Sequence, residues 1–312
     1  MEDRLHEDEL PISVDLVRAL VDDQFPHYAN LPLTALDVSG STNRLFRLGD
    51  ELLVRLPRQP QGGGGIGKEQ RWLPRLRDRL PVEIPEIVAL GRARHDYPVP
   101  WSITRWLYGE LPTVWQPGAP VDPSRTKLAE ELASFISALQ RVEVPEDAIA
   151  GESLRAYRGR PLGEFDRQFR LNLEQCRRLP GLELDLQAAE TIWTEALELP
   201  GAQHTTADRW YHSDLVAENL LLRDGTLSAV LDFGGLAIGD PTIDLHGAWE
   251  LFDPPAREVF RKTLNVDEAT WLRGRAWALA IALGALPYYW RTMPNRRRDR
   301  LRMARSVIAD TH

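Results

Sequence analysis

Residues 211–245, YHSDLVAENLLLRDGTLSAVLDFGGLAIGDPTIDL, constrain the fold more than any other part of the chain. Two short apolar runs, 220–223 and 227–233, flank Asp224-Gly225, a dipeptide that suits a tight hairpin turn. Polar residues bracket the hairpin on both sides, with His212, Asp214 and Asn219 before it and Asp232 after it. Closing such a hairpin returns Asp232 to the loop that carries Asp214.

The patterns around this β island divide the chain. Ser13 can cap a helix through about Phe25, because Val14, Leu16, Val17, Leu20 and Val21 recur at helical spacing. Residues 45–48 and 52–56, separated by Gly49-Asp50-Glu51, predict a hairpin. A glycine-rich loop is expected over 61–67 and a helix over 68–80, followed after Pro81 and Pro85 by extended segments at 86–90 and 101–107. From Ser124 onward the pattern turns to long amphipathic helices at 128–142, 162–177 and 186–197, and helices resume from about Thr242. At 312 residues the chain exceeds what one core usually organises. We therefore expect an α+β protein with a small β-rich lobe over 1–108, a larger and mainly helical lobe over 109–312, and a cleft between them.

Charge and cysteine content exclude several classes. A formal net charge of −8 opposes generic nucleic-acid binding, which depends on neutralising phosphates. The one strongly basic stretch, 291–305, holds seven arginines interleaved with Leu301, Met303 and Ala304, the pattern of a solvated terminal helix. Cys176 is the only cysteine, so one chain can build neither a disulfide nor a cysteine-based zinc site, and a cytoplasmic location is expected. The acidic N-terminus lacks the basic start and apolar core of a signal peptide. The longest apolar run, 276–290, is too short to span a bilayer and is interrupted by Gly284 and Pro287, so no membrane association is expected and the run reads as a buried helix.

The spacing His212-x-Asp214 with Asn219 five residues on, then Asp232-Phe233-Gly234, has a chemical reading. Phosphoryl transfer needs a carboxylate to orient the attacking hydroxyl and hard oxygen ligands to hold Mg²⁺ against the phosphates of a nucleotide. Asp214 fits the first role, and Asn219 and Asp232 fit the second.

With Gly239-Asp240-Pro241-Thr242-Ile243-Asp244-Leu245 added, the segment resembles the aminoglycoside phosphotransferase family, and the likeness extends over about 33–290. The resemblance implies a bilobal protein-kinase-like fold, Mg²⁺ with ATP or GTP as donor, and an antibiotic or similar small molecule as acceptor. It also implies mainly architectural roles for Asp240 and Asp244. In the first lobe, Gly40-Ser41-Thr42-Asn43 resembles the family's nucleotide loop, where the backbone and small hydroxyls of Ser41 and Thr42 approach phosphates. Such kinases usually place a strand lysine on the phosphates, whereas this chain has Arg55, in the run Arg55-Leu56-Pro57-Arg58 that is similar to macrolide phosphotransferases. Glu69 is the candidate partner for Arg55. Residues 101–110 resemble the inter-lobe hinge and nominate the carbonyl of Arg105 and the N–H of Leu107 for the purine edge.

The acceptor is expected on the helical lobe, where Glu250, Asp253 and Tyr289 are the candidate contacts. Carboxylates would suit a cationic sugar and apolar walls a lactone. Gly62 to Lys68 mimics a P-loop but ends in Glu69 where Ser or Thr is required, and its glycines match a dinucleotide fingerprint without the βαβ unit around it. That stretch is expected to be a flexible loop beside the nucleotide. H-E-x-x-H and G-x-S-x-G are absent. The expected activity is small-molecule O-phosphorylation by a monomer or homodimer. The alternatives are a metabolic kinase of an amino alcohol or sugar, and a catalytically silent nucleotide-binding protein suggested by Arg55.

Overall fold

The computed structural model describes residues 6, 8–36, 40–155, 158–204 and 208–310. They form two compact units, Met1–Asp78 with Glu83–Tyr108, and Arg79–Val82 with Gly109–His312.

The first unit is built on a five-stranded antiparallel sheet. Its strands are β1 (Leu33–Ala35), β2 (Asn43–Leu48), β3 (Leu52–Pro57), β4 (Ile87–Gly91) and β5 (Trp101–Arg105), in the spatial order β1-β2-β3-β5-β4. Helix α1 (Val14–Gln24) begins at Ser13, whose side chain accepts the N–H of Leu16. Its Val17, Leu20 and Val21 join Phe46, Leu48, Val54, Leu56, Trp101 and Ile103 in one buried cluster. The β2–β3 turn passes through Gly49 at φ 60, a left-handed conformation that glycine adopts without strain.

Helix α2 differs from expectation. It runs Gly63–Leu76, so most of the glycine stretch forms its first turn rather than a loop. The cause is close packing. A Cβ on Gly62 would lie 2.6 Å from Cβ of Pro57, and one on Gly63 would lie 3.1 Å from both Pro100 and Val99. Only glycine lets the helix start against these neighbours, even though glycine is a poor helix former. After Leu76 the chain tightens into a 3₁₀ turn over Arg77–Arg79.

The second unit is mainly helical. It contains α3 (Pro123–Arg141), the short α4 (Glu146–Ile149), α5 (Leu162–Arg177), α6 (Leu186–Leu197), α7 (Ala248–Leu251), α8 (Pro254–Leu264), α9 (Glu268–Thr292) and α10 (Pro294–Ala309). The apolar run seen in the sequence lies in α9, which packs on α5, α6, α10 and the 3₁₀ segment Pro241–Gly247. No helix among the described residues is long and apolar enough to cross a membrane. Two small β pairs sit among these helices: β6 (Arg209–Tyr211) with β9 (Ala237–Gly239), and the hairpin β7 (Leu220–Arg223) with β8 (Thr226–Val230). Asp224 and Gly225 turn the hairpin at φ 53 and 70, the paired left-handed values of the tight turn that an Asp-Gly dipeptide favours.

Candidate active site

The loop after β6 is held by one buried carboxylate. Asp244 accepts the N–H of His212 at 2.8 Å and of Ser213 at 2.7 Å, which fixes two consecutive peptides. Burial pushes its pKa up to about 7, against the opposing pull of those two N–H donors. Asp240 caps the segment that carries Asp244 by accepting the N–H of Thr242 at 3.0 Å. Both aspartates thus act on the architecture of the loop.

His212 joins the two halves of the motif. Its Nε2 faces the carbonyl of Leu231 at 2.8 Å, so the proton belongs there, and Nδ1 is left to accept the N–H of Asp214 at 3.3 Å. The ring meets Phe233 edge-on at 4.6 Å. Ser213, at φ 75, donates its hydroxyl to the carbonyl of Gly235 at 3.1 Å. The N–H of Leu231 donates to the carbonyl of Asn219 at 2.8 Å. The hairpin therefore does return residues 231–235 to the loop of Asp214.

At Asp214, Oδ1 lies 3.3 Å from Nη1 of Arg158 and Oδ2 accepts from Nδ2 of Asn219 at 2.9 Å. Desolvation raises the pKa of this carboxyl, but Arg158 and Arg300 outweigh it and bring the group below its ordinary value. Asp214 is therefore a carboxylate kept in its charged form and held in one orientation. Asn219 uses Nδ2 on Asp214, both at the side chain and at the backbone carbonyl 2.8 Å away. Its carboxamide oxygen is the atom of a kind that a hard cation takes. Asp232 sits at φ 56, ψ 68, with Oδ1 3.4 Å from the N–H of Gly234. A non-glycine residue in that conformation stores strain of the kind that concentrates at functional sites. Among the described residues, no group of three or more His, Cys, Asp or Glu side chains is placed to hold a cation by itself. A cation taken by Asn219 and Asp232 would have to share its remaining ligands with a substrate, as Mg²⁺ does with phosphates.

In the first unit, Arg55 and Glu69 form a buried bidentate pair, Nη1 to Oε2 at 2.8 Å and Nη2 to Oε1 at 3.2 Å. Ser41 and Thr42 lie in the bend before β2, where the carbonyl of Ser41 accepts from His6 at 2.8 Å and that of Thr42 from the N–H of Arg58 at 2.9 Å. Arg105 ends β5, with its side chain on Glu86 at 3.0 Å and its N–H on the carbonyl of Glu86 at 2.9 Å. Leu107 follows, beyond the end of the strand.

The acceptor candidates are placed differently from one another. Glu250 is buried, with Oε1 accepting the N–H of Ala217 at 2.8 Å and Oε2 paired with Arg300. Asp253 is also buried; it caps α8 through the N–H of Ala256 and accepts the N–H of Asp122, both at 3.0 Å. Both carboxylates are engaged inside the fold. Tyr289 is half-buried near the end of α9, and its hydroxyl accepts from Arg296 at 3.2 Å.

Three arginines that no motif announces complete the site. Arg158 reaches Asp214 from a segment 56 residues away in sequence. Arg296 and Arg300, both on α10, meet Glu218 at 2.9 and 3.2 Å. The basic stretch is therefore not simply a solvated face: Arg300 is only 5% exposed. Its signal in sequence is weak, because guanidinium groups are common at helix ends and partners are visible only in three dimensions.

The family model described as APH, phosphotransferase enzyme family, matches residues 34–277, well over half of the chain. No curated relative matches the sequence at a significant level. Among solved structures, the GDP and kanamycin complex of APH(2")-IIia is similar at 20% identity, covering 96% of this chain and 100% of the other with a TM-score of 0.72. A macrolide 2'-phosphotransferase type I is similar at 17% identity, with 92% and 94% coverage and a TM-score of 0.64. The apoenzyme of a macrolide 2'-phosphotransferase from Brachybacterium faecium is similar at 20% identity, with 97% and 99% coverage and a TM-score of 0.61. These likenesses show the fold, which is α+β and protein-kinase-like.

Proposed function

The chain belongs to the phosphotransferase enzyme family, and on that premise we propose that it transfers the γ-phosphoryl group of ATP or GTP to a hydroxyl of a small molecule, an antibiotic of the aminoglycoside or macrolide type being the first class to test. The observation that carries the reading is Asp214, ionised and held at both carboxylate oxygens by Arg158 and Asn219. A hydroxyl that donates to Asp214 is oriented for in-line attack. Because the transition state of phosphoryl transfer is loose, such a group needs to position its partner more than to strip its proton early. The proton can pass to the carboxylate as the new O–P bond forms and the bond from the γ-phosphorus to the departing nucleoside diphosphate breaks.

Asn219 and Asp232 have the donor chemistry to hold Mg²⁺, which when bound neutralises charge on the nucleotide phosphates. Arg55, fixed by Glu69, supplies a planar, positively charged guanidinium. We assign the nucleotide phosphates to Arg55 with the backbone of Ser41 and Thr42, and the purine edge to the carbonyl of Arg105 and the N–H of Leu107. Tyr289 remains a candidate acceptor contact.

Nucleotide consumption coupled to mass detection of a phosphorylated acceptor tests this reading. Addition of one phosphoryl group to a hydroxyl, dependent on Mg²⁺, is expected. Nucleotide binding unaffected by Mg²⁺ and unaccompanied by hydrolysis or transfer with any acceptor would support a silent nucleotide-binding protein instead.

A further inference from the structure

We propose that Glu250 and Arg300 are positioning residues: from α7 and α10 they fix the turn that carries Asn219, and so set where the carboxamide oxygen of Asn219 stands. The inference rests on the reading of Asn219 as a ligand for Mg²⁺.

Asn219 ends a 3₁₀ turn of only three residues, Ala217–Asn219. So short a turn has few hydrogen bonds of its own, and its placement depends on partners outside it. Each of its residues has one. The N–H of Ala217 donates to Oε1 of Glu250 at 2.8 Å, Glu218 meets Arg300 at 3.2 Å and Arg296 at 2.9 Å, and Nδ2 of Asn219 donates to Oδ2 of Asp214 at 2.9 Å. Arg300 couples the first two ties, because it pairs with Glu250 through Nη1 and with Glu218 through Nη2. With Nδ2 committed to Asp214, a shift of the turn is a shift of the oxygen left to coordinate the metal.

Both ends of the tie are themselves anchored. Glu250 lies on α7 and Arg300 on α10, and a second bond joins the same two elements, from Nε1 of Trp249 to Asp310 at 2.7 Å. Arg275 of α9 holds α10 by donating from Nε and Nη2 to the carbonyl of Val307 at 3.2 and 2.9 Å. Glu250 and Arg300 are buried, at 2 and 5% exposure. A buried ion pair gives little stability over a well-packed apolar pair, because both ions lose their hydration. What this one supplies is a defined geometry at both ends. Mg²⁺ demands near-ideal octahedral geometry, and groups that orient its ligands matter nearly as much as the ligands.

Calorimetry of a non-hydrolysable ATP or GTP analogue, with and without Mg²⁺, tests the proposal together with amide hydrogen exchange over residues 215–220 of the full chain. Two double variants are compared. Arg300→Met with Glu250→Leu removes both charges and the acceptor of the Ala217 N–H, whereas Arg300→Met with Glu250→Gln removes both charges and keeps an acceptor. In the leucine variant, exchange at Ala217 should quicken and the gain in nucleotide affinity conferred by Mg²⁺ should shrink at least about tenfold, with Mg²⁺-free affinity unchanged. The glutamine variant should keep that gain to within about threefold. A pair with a merely structural role would lower Tm and leave the gain untouched; a folded leucine variant with the wild-type gain, or equal losses in the two variants, would overturn the proposal. Should neither variant fold, Arg300→Lys keeps the charge without the planar fork that reaches both carboxylates. It should lose part of the gain and exchange faster at Ala217, and wild-type values of both would overturn the proposal. Asn219→Ala separates the two levels of the argument. If that variant loses the gain while the leucine variant keeps it, positioning alone is wrong; if Asn219→Ala keeps the gain, the metal reading falls and the proposal with it.

Discussion

Removing Glu69 should unfold the first unit far more readily than its position on an amphipathic helix suggests. An exposed Arg–Glu pair contributes about 0–1 kcal/mol, because water screens it and side-chain entropy opposes it. The pair of Arg55 and Glu69 is different: it has two bonds, at 2.8 and 3.2 Å, and the side chains are only 10 and 1% exposed. Glu69→Ala removes both carboxylate bonds from a buried guanidinium, a change that costs about 3–5 kcal/mol in comparable pairs. Replacing both partners, as Arg55→Met with Glu69→Leu, removes the charge problem along with the bonds, so stability should recover to within about 1 kcal/mol of wild type. Urea unfolding of the three proteins measures this, and nucleotide titration of the stable double variant separates structure from function. Under the proposed role of Arg55, the double variant folds but binds nucleotide at least about tenfold more weakly. A Glu69→Ala variant within about 1 kcal/mol of wild type would refute the energetic argument. A folded double variant with unchanged nucleotide affinity would refute the assignment of Arg55 to phosphate.

Two pH dependences follow from the second unit. Arg158 is the first cation holding the pKa of Asp214 down against desolvation; Arg158→Ala should therefore raise that pKa and move the acid limb of the kcat/KM profile to higher pH, and an unmoved limb would contradict the pairing. Burial pushes Asp244 up to about 7 and His246 down to about 4, from 3.8 and 6.5. A raised carboxyl contributes stability at low pH that is lost as pH rises from 3.8 through about 7, whereas a depressed imidazole contributes stability at high pH that is lost as pH falls from 6.5 through about 4, so the two slopes oppose each other between about pH 4 and 6.5. His246→Asn should unmask the Asp244 slope, with Tm falling steadily as pH rises across that window; a variant as flat as wild type would contradict the balance.

What the sequence made legible was local. The interval from His212 to Asn219, the Asp224-Gly225 turn and Asp232 are covalently close, so spacing alone brings them together once the hairpin closes. The Ser13 cap and helices α5 and α6 were equally readable from short-range periodicity and capping. Features set by distant packing were not. The first turn of α2 depends on Pro57, Val99 and Pro100 lying against Gly62 and Gly63, which no helix-propensity argument contains. Arg158 and Arg300 reach Asp214 and Glu218 across 56 and 82 residues, and neither sits in a motif. Glu250 and Asp253 showed their charge in sequence but not their burial, and it is the burial, with Arg300 and the α8 cap as partners, that decides what they can do.

The central claim is the division of labour between Asp214 and Asp232, and the most direct test compares their alanine variants in kcat and in Mg²⁺-dependent nucleotide affinity. Asp214→Ala removes the group proposed to orient the hydroxyl, so kcat should fall steeply while nucleotide affinity changes little. Asp232→Ala removes the proposed metal ligand, so under this account Mg²⁺-dependent nucleotide binding should weaken along with turnover. Near-wild-type kcat in Asp214→Ala, or equal loss of metal-dependent binding in the two variants, would contradict the account.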